Sequence, residues 1–175
     1  MDVAPDGASR GRAVASPCVH SMNTLKVGII GYGWVATAHI AAIEATGMAK
    51  VVAVHSSRPI DDATLAARHG QGIRFHPRLE DLLSDPSIDV VSICSYPWLH
   101  AEHARAAARA GKHFILEKPV ALSWEDCISV RDAVARAGVH TCVCFECRYS
   151  AQFLATRSVL DAGLLGEVQI GRAHV

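Results

Sequence analysis

The chain has 175 residues, equal numbers of basic and acidic side chains (17 each) and 50% hydrophobic residues. Zero formal charge excludes the basic footprint of a nucleic-acid or anionic-membrane binder, and no apolar run reaches the ~18 residues of a membrane helix. Six cysteines fall far short of a disulfide scaffold, so reduced thiols in a cytoplasmic protein with a single core of common size are expected.

Residues 1–21 are rich in Ala, Gly, Ser and Pro, with no apolar periodicity and no continuous apolar stretch of a secretory signal. They read as a disordered tail or as the product of a start codon called too early, with Met22 the expected start. Leu25–Gly31 is a short apolar run ending in glycine, which predicts a buried parallel strand. Val35–Ala45 carries apolar residues at helical spacing, and Lys50–His55 is a second strand. Asp61–His69 is an alanine-rich helix whose aspartates suit its N-terminus. A short strand at Ile73–Phe75 and a short helix at Leu79–Leu83 follow. Ile88–Cys94 is the fourth strand, Trp98–Ala110 a helix stopped by Gly111, and His113–Leu116 the fifth strand. Ser123 is the expected N-cap of a helix to Ala137, with Asp126 placed to complete the cap and Gly138 to end it. Val139–Phe145 is the sixth strand, and Ala151–Ala162 a last helix before Gly163. A further strand is expected after Gly166. This alternation predicts an α/β fold, a Rossmann-like doubly wound parallel sheet covered by helices.

Gly31-Tyr32-Gly33-Trp34-Val35-Ala36 is a G-x-G-x-x-A turn between the first strand and the first helix, the context in which that pattern binds a dinucleotide. Gly31 permits a tight turn, Gly33 lets a pyrophosphate approach the backbone, and Ala36 lets helix and strand pack closely. Trp34 and Val35 open the helix, whose free amides and positive dipole end suit the phosphates. At the end of the second strand an NAD enzyme usually carries a carboxylate for the ribose hydroxyl. Here His55-Ser56-Ser57-Arg58 has none before Asp61. Two hydroxyls and a guanidinium suit a 2′-phosphate, so NADP is expected over NAD, with Ser56, Ser57 and Arg58 as its contacts. Alternatively, Arg58 is a solvated loop residue. Ser95-Tyr96-Pro97 follows the fourth strand at the carboxyl end of the sheet, where ligands bind in this fold, so Ser95 and Pro97 are candidate contacts. Trp98 either flanks the cofactor or packs in the core.

The glycine turn, then Gly111-Lys112-His113, then Glu117-Lys118-Pro119, strongly resembles the Gfo/Idh/MocA family of NAD(P)-dependent oxidoreductases from Lys26 to about Val168. The resemblance implies hydride transfer between nicotinamide and a hydroxyl-bearing carbon of a sugar, polyol or cyclic diol. Some relatives act on pyrroline and imine compounds. It implies that Lys118 is the catalytic residue beside nicotinamide, that Glu117 contacts the nicotinamide ribose, and that Pro119 follows a cis peptide. His100 matches the family histidine after the fourth strand, and Arg148 its passage into the second domain; both are expected near the cofactor. The chain departs from the family pattern at Ser95-Tyr96-Pro97 (usually Thr-Pro-Asn), at Glu146 (commonly Asn) and at Ala151 (commonly Pro). These departures bear on substrate more than on fold.

No metal is expected. Cys142 and Cys144 share one face of a strand, where small apolar residues pack, and no second ligand pair joins Cys142, Cys144 and Cys147 at zinc spacing. Cys94 is a core residue and His103 a solvated one on this reading. Residues 22–145 form the dinucleotide-binding domain, and 146–168 begin a substrate domain whose remainder is missing. Ile170–Val175 equal a translation of a common sequencing adapter, so residues 169–175 are expected to be non-native. The parent protein is then an enzyme acting on a small molecule as a homo-oligomer, without nucleic-acid or membrane partners. This chain alone is expected to be inactive, with apolar surface left uncovered. A non-catalytic dinucleotide-binding module is the alternative.

Overall fold

A computed structural model describes residues 24–167. The two terminal assignments and the strand expected after Gly166 lie largely or wholly outside them. In chain order the elements are β1 (Leu25–Ile30), α1 (Trp34–Ala45), β2 (Ala49–His55), α2 (Asp62–His69), β3 (Arg74–His76) and α3 (Leu79–Ser84). Then come β4 (Val90–Ile93), α4 (His100–Arg109), β5 (His113–Glu117), α5 (Trp124–Ala137), β6 (Thr141–Cys144) and α6 (Ala151–Asp161). The six strands pair in the order β3-β2-β1-β4-β5-β6, all parallel. This is the doubly wound arrangement that the βα rhythm predicts.

Alternation along the strands builds two cores. Val27 and Ile29 of β1 join Ala36 and Ile40 of α1 and Leu65 of α2 on one face. Ile30 joins Leu82, Ile93 and the alanines of α4 on the other. Ala101, Ala104, Ala107 and Ala108 turn inward, so α4 lies close to the sheet. Arg105 then reaches α5, donating to Asp126 Oδ1 (2.8 Å) and Ser129 Oγ (2.7 Å). The expected caps form. Asp61 Oδ1 accepts from Thr64 N–H at 2.7 Å, and Ser123 Oγ accepts from Asp126 N–H at 3.1 Å. Lys112 is buried, and its ammonium donates to Asp85 O and Ile88 O, both at 2.7 Å. That side chain fastens the loop before β4 to the start of β5.

Three elements differ from the sequence reading. β4 starts at Val90 rather than Ile88, because Ile88 N–H is bound into a turn on Asp85 O (3.2 Å). The helix expected from Trp98 opens as a separate 3-10 turn, Pro97–Leu99. β6 is shorter than Val139–Phe145, and a 3-10 turn at Glu146–Tyr149 follows it. Cys142 was placed in the core by strand alternation, yet it is exposed. Its strand is the sheet's last, and alternation says which side a residue faces but not whether anything covers that side. Helix α6 leaves Phe153, Leu154 and Leu160 exposed.

Candidate functional site

The strand order reverses between β1 and β4, which makes their carboxyl ends the switch point of the sheet. A cavity of about 570 Å³ occupies that switch point. Gly31, Gly33, Trp34 and Val35 line it from the β1–α1 turn; Ser56, Ser57 and Arg58 line it from the end of β2. Ser95 and Pro97 enter from the loop after β4, His100 from α4, and Glu117 and Lys118 from the end of β5. Arg148, expected near the cofactor, does not line the cavity. Its guanidinium lies 5.9 Å over the Phe145 ring, in the turn beyond β6. The cavity also includes Tyr32, His55, Cys94, Tyr96 and His103, which no motif singled out as cofactor contacts. Their proximity to quoted motif residues was the available signal.

The glycine turn is built tightly on one side and openly on the other. Gly31 has φ +90°, and a Cβ there would lie 2.6 Å from Ser95 Cα and N. The backbones of the β1 and β4 loops therefore meet at this point. Gly33 has nothing within 4 Å of an added Cβ, and no side chain caps the helix that starts after it. The first amides of α1 thus face an open space, the arrangement that receives phosphates. At the end of β2 no carboxylate points toward the cavity: both oxygens of Asp61 are taken by Thr64, from its N–H (2.7 Å) and its hydroxyl (2.8 Å). Ser56 is buried and its Oγ accepts from Arg58 N–H at 3.3 Å, while Ser57 and Arg58 are exposed.

Two histidines of α4 hold the loop after β4. His100 is 1% exposed, and both its ring nitrogens face backbone carbonyls. Nδ1 lies 2.6 Å from Pro119 O and Nε2 2.9 Å from Ser95 O. It ties the β4 loop to the loop that carries Lys118. His103, expected to be solvated, is buried with Nδ1 2.9 Å from Ser95 Oγ. The inward stripe of α4 continues through this position, which a single histidine in a polar-looking segment did not reveal. Burial holds the His103 ring below the ordinary histidine value of 6.5. Its stabilising contribution is therefore present above that value and lost as pH falls below it, because the unfolded chain takes the proton more readily. Urea midpoints of the native chain should fall more steeply below pH 6.5 than those of His103→Gln; parallel curves would refute this. Trp98 does not pack in the core. It is exposed and stacks on Tyr96, with ring centroids 4.5 Å apart.

At the end of β5 a line of polar groups converges on Glu117. Ser92 Oγ, fully buried in β4, donates to His39 Nδ1 (2.8 Å). His39 Nε2 donates to Glu117 Oε1 (2.9 Å), and Glu117 Oε2 accepts from Lys118 N–H (3.1 Å). Cys94 Sγ lies 3.6 Å from Ser92 Oγ, with its thiol pushed up to about 12 by burial. Cys94 is half-buried beside the core rather than fully within it. Lys118 is exposed, and the peptide to Pro119 is cis. Its ammonium lies 3.2 Å from Glu146 Oε1. The hydrogen bond and charge of Glu146 raise the Lys118 pKa, so the lysine rests protonated. His39, Glu117 and Cys144 bring ligand-type atoms within 4.8 Å of one another. His39 and Glu117 are already paired, and burial with the neighbouring Glu117 charge pushes the Cys144 thiol up to about 11. An apolar groove of about 450 Å³ runs beside the main cavity, between α1 and the β5–β6 end, and shares Glu117 and Lys118 with it.

A doubly wound sheet, a glycine turn at its switch point and an uncapped helix start define a dinucleotide-binding α/β fold. The open space beside Gly33 and the uncapped start of α1 suit a dinucleotide's pyrophosphate. The chain belongs to the Gfo/Idh/MocA oxidoreductase family, whose model, described as an oxidoreductase family NAD-binding Rossmann fold, matches residues 25–145. It is 35% identical over 147 residues to inositol 2-dehydrogenase 3 of Saccharopolyspora erythraea, covering 82% of this chain and 42% of that protein. It is 33% identical over 154 residues to levoglucosan dehydrogenase of Pseudarthrobacter phenanthrenivorans, covering 84% and 40%. Among solved structures, scyllo-inositol dehydrogenase from Lactobacillus casei with bound NAD(H) and scyllo-inositol superposes with TM-score 0.72 at 26% identity, covering 83% of this chain and 43% of that one. The chain thus spans about two fifths of the length of these relatives.

Proposed function

We propose that the protein exchanges hydride between a nicotinamide dinucleotide and a hydroxyl-bearing carbon of a sugar, polyol or cyclic diol, with Lys118 as its catalytic residue. One observation carries this reading: the glycine turn, Ser56–Arg58, Glu117 and Lys118 arrive from separate strand ends at one cavity. The amides at the start of α1 hold the pyrophosphate, and Glu117 accepts from the nicotinamide ribose. The nicotinamide, when bound, supplies the hydride chemistry. Lys118 orients the substrate hydroxyl and shares its proton as charge develops on oxygen. Glu146 holds the ammonium in an ion pair of 3.2 Å until substrate arrives. The chain spans about two fifths of its relatives' length, so hydride transfer is proposed for the whole protein, a homo-oligomer acting on a small molecule in the cytoplasm. By itself the described chain binds cofactor without turnover.

The test is titration of the chain with NADH and NADPH, followed by fluorescence of the dinucleotide. Binding is expected; a folded chain that binds neither overturns the reading. In the whole enzyme, Lys118→Ala should lower turnover by ~100-fold or more, and unchanged turnover would remove Lys118 from the chemistry. NADPH is the preferred cofactor on this reading, because the end of β2 offers two hydroxyls and a guanidinium with Asp61 already spent. Arg58→Ala should weaken NADPH by about tenfold or more and leave NADH within about twofold. Equal losses, or tighter NADH from the start, would return the preference to NAD, as in the NAD(H)-bound L. casei neighbour.

A further inference from the structure

The half-buried imidazole of His39 lies outside the glycine motif and lines the apolar groove rather than the main cavity. Its position on the inner side of α1 nevertheless sets it between two strands. Toward β4 it faces a serine hydroxyl with no exposure at all, and toward β5 it faces the Glu117 carboxylate. A buried hydroxyl needs a partner, and Ser92 Oγ lies 2.8 Å from His39 Nδ1. The Glu117 contact sets the tautomer: a carboxylate only accepts, so a proton sits on Nε2, and in that tautomer Nδ1 accepts from Ser92. The Nε2 proton then has one acceptor, Glu117 Oε1 at 2.9 Å. The second carboxylate oxygen is held by Lys118 N–H at 3.1 Å. Glu117 is therefore gripped at both oxygens, once by the chain that carries it and once by a side chain 78 residues away. A glutamate has three side-chain torsions, and without the His39 contact the carboxylate loses its hold at Oε1.

We infer that His39 is a positioning residue, oriented by Ser92, that aims the Glu117 carboxylate at the nicotinamide half of the bound dinucleotide. This rests on the cofactor reading above. His39 does not reach the cavity itself; it acts through Glu117. Its loss should weaken the contact that Glu117 makes and leave the adenine half of the site, at Ser56–Arg58, untouched.

That selectivity is the test. Affinities of the chain are compared for each dinucleotide and for its adenine half alone, NADH against ADP and NADPH against 2′-phospho-ADP. His39→Ala should weaken the dinucleotides about tenfold and the adenine halves less than twofold. Ser92→Ala should give a smaller loss of the same kind. His39→Gln, which keeps a donor toward Glu117, should recover part of the affinity. In a Glu117→Ala background, His39→Ala should cost nothing further, since the interaction it supports is already gone. Equal losses for dinucleotide and adenine half, or losses that add across the two positions, would make His39 a packing residue and overturn the inference. Should His39→Ala fail to fold, Ser92→Ala and His39→Gln read the same ratio. A native chain that binds ADP but no more tightly binds NADH also overturns it, whereas a native chain that binds neither ligand defeats the cofactor reading first.

Discussion

Gly31→Ala should destabilise the fold by about 4 kcal/mol. The residue sits at φ +90°, where a side chain costs roughly 1–3 kcal/mol in backbone strain. The larger problem is contact. An added Cβ would lie 2.6 Å from Ser95 Cα and N and 2.9 Å from the Cys94 carbonyl carbon, all backbone atoms that no rotamer change can clear. To make room, the ends of β1 and β4 would have to separate, breaking the bond from Cys94 N–H to Ile30 O (2.8 Å). Overpacking of that kind costs about 1–3 kcal/mol more. Chemical denaturation reads the change as a drop in midpoint at constant slope. Gly33→Ala is the matched control. Nothing lies within 4 Å of its added Cβ and its φ is −129°, so stability should stay within about 0.5 kcal/mol. Dinucleotide affinity should nevertheless fall, because that methyl enters the space reserved for phosphate. If the two alanines behave alike in denaturation, the tight meeting of the β1 and β4 loops is not what Gly31 is for.

His100→Leu should cost about 1–3 kcal/mol, although leucine is apolar and the site is buried. The imidazole is 1% exposed and its two nitrogens face carbonyls, Pro119 O and Ser95 O. Leucine fills the volume but leaves the carbonyl that takes the ring proton without a donor, and a buried unsatisfied group costs about 1–3 kcal/mol. The functional loss should exceed the stability loss, because the same histidine joins the Ser95 loop to the Lys118 loop. His100→Gln, with two amide hydrogens, should recover part of both. Denaturation and dinucleotide titration on the three proteins check this. A leucine variant with native stability would mean that this carbonyl finds water instead.

The order of strands and helices was legible because each βα unit changes from a run of apolar residues to a helical stripe, with glycine or proline between them. Gly31, Gly33, Ser56–Arg58, Ser95, His100, Glu117 and Lys118 converge on one cavity, and parallel strands explain why. Every carboxyl end emerges on the same edge, so residues just after strands become neighbours however far apart they lie in the chain. Residues that reach the site from the middle of a helix had no such signal. His103 is turned inward on α4, and His39 works from inside α1. Neither fact follows from spacing, since the stripe that faces the sheet also carries alanines. Arg148 shows the opposite failure. It belonged to the resemblance by position, but the 3-10 turn after β6 directs its guanidinium to Phe145. Lys112 illustrates how a signature residue can serve the frame: its ammonium is consumed by two carbonyls of the loop before β4. Exposure of Cys142 depends on what covers the last strand, and no pattern within the strand encodes that.

The chain has three tryptophans, and all of them lie at the surface: Trp34 is 82% exposed, Trp98 64% and Trp124 74%. The indole emission of the folded state is therefore already that of a solvated ring, and unfolding has little spectral shift left to produce. Trp34 stands at the first turn of α1, on the rim of the cavity. A dinucleotide seated there comes within energy-transfer range of an indole that hardly senses the core. Intrinsic fluorescence of this protein is thus a gauge of occupancy, while its folding is better followed by circular dichroism.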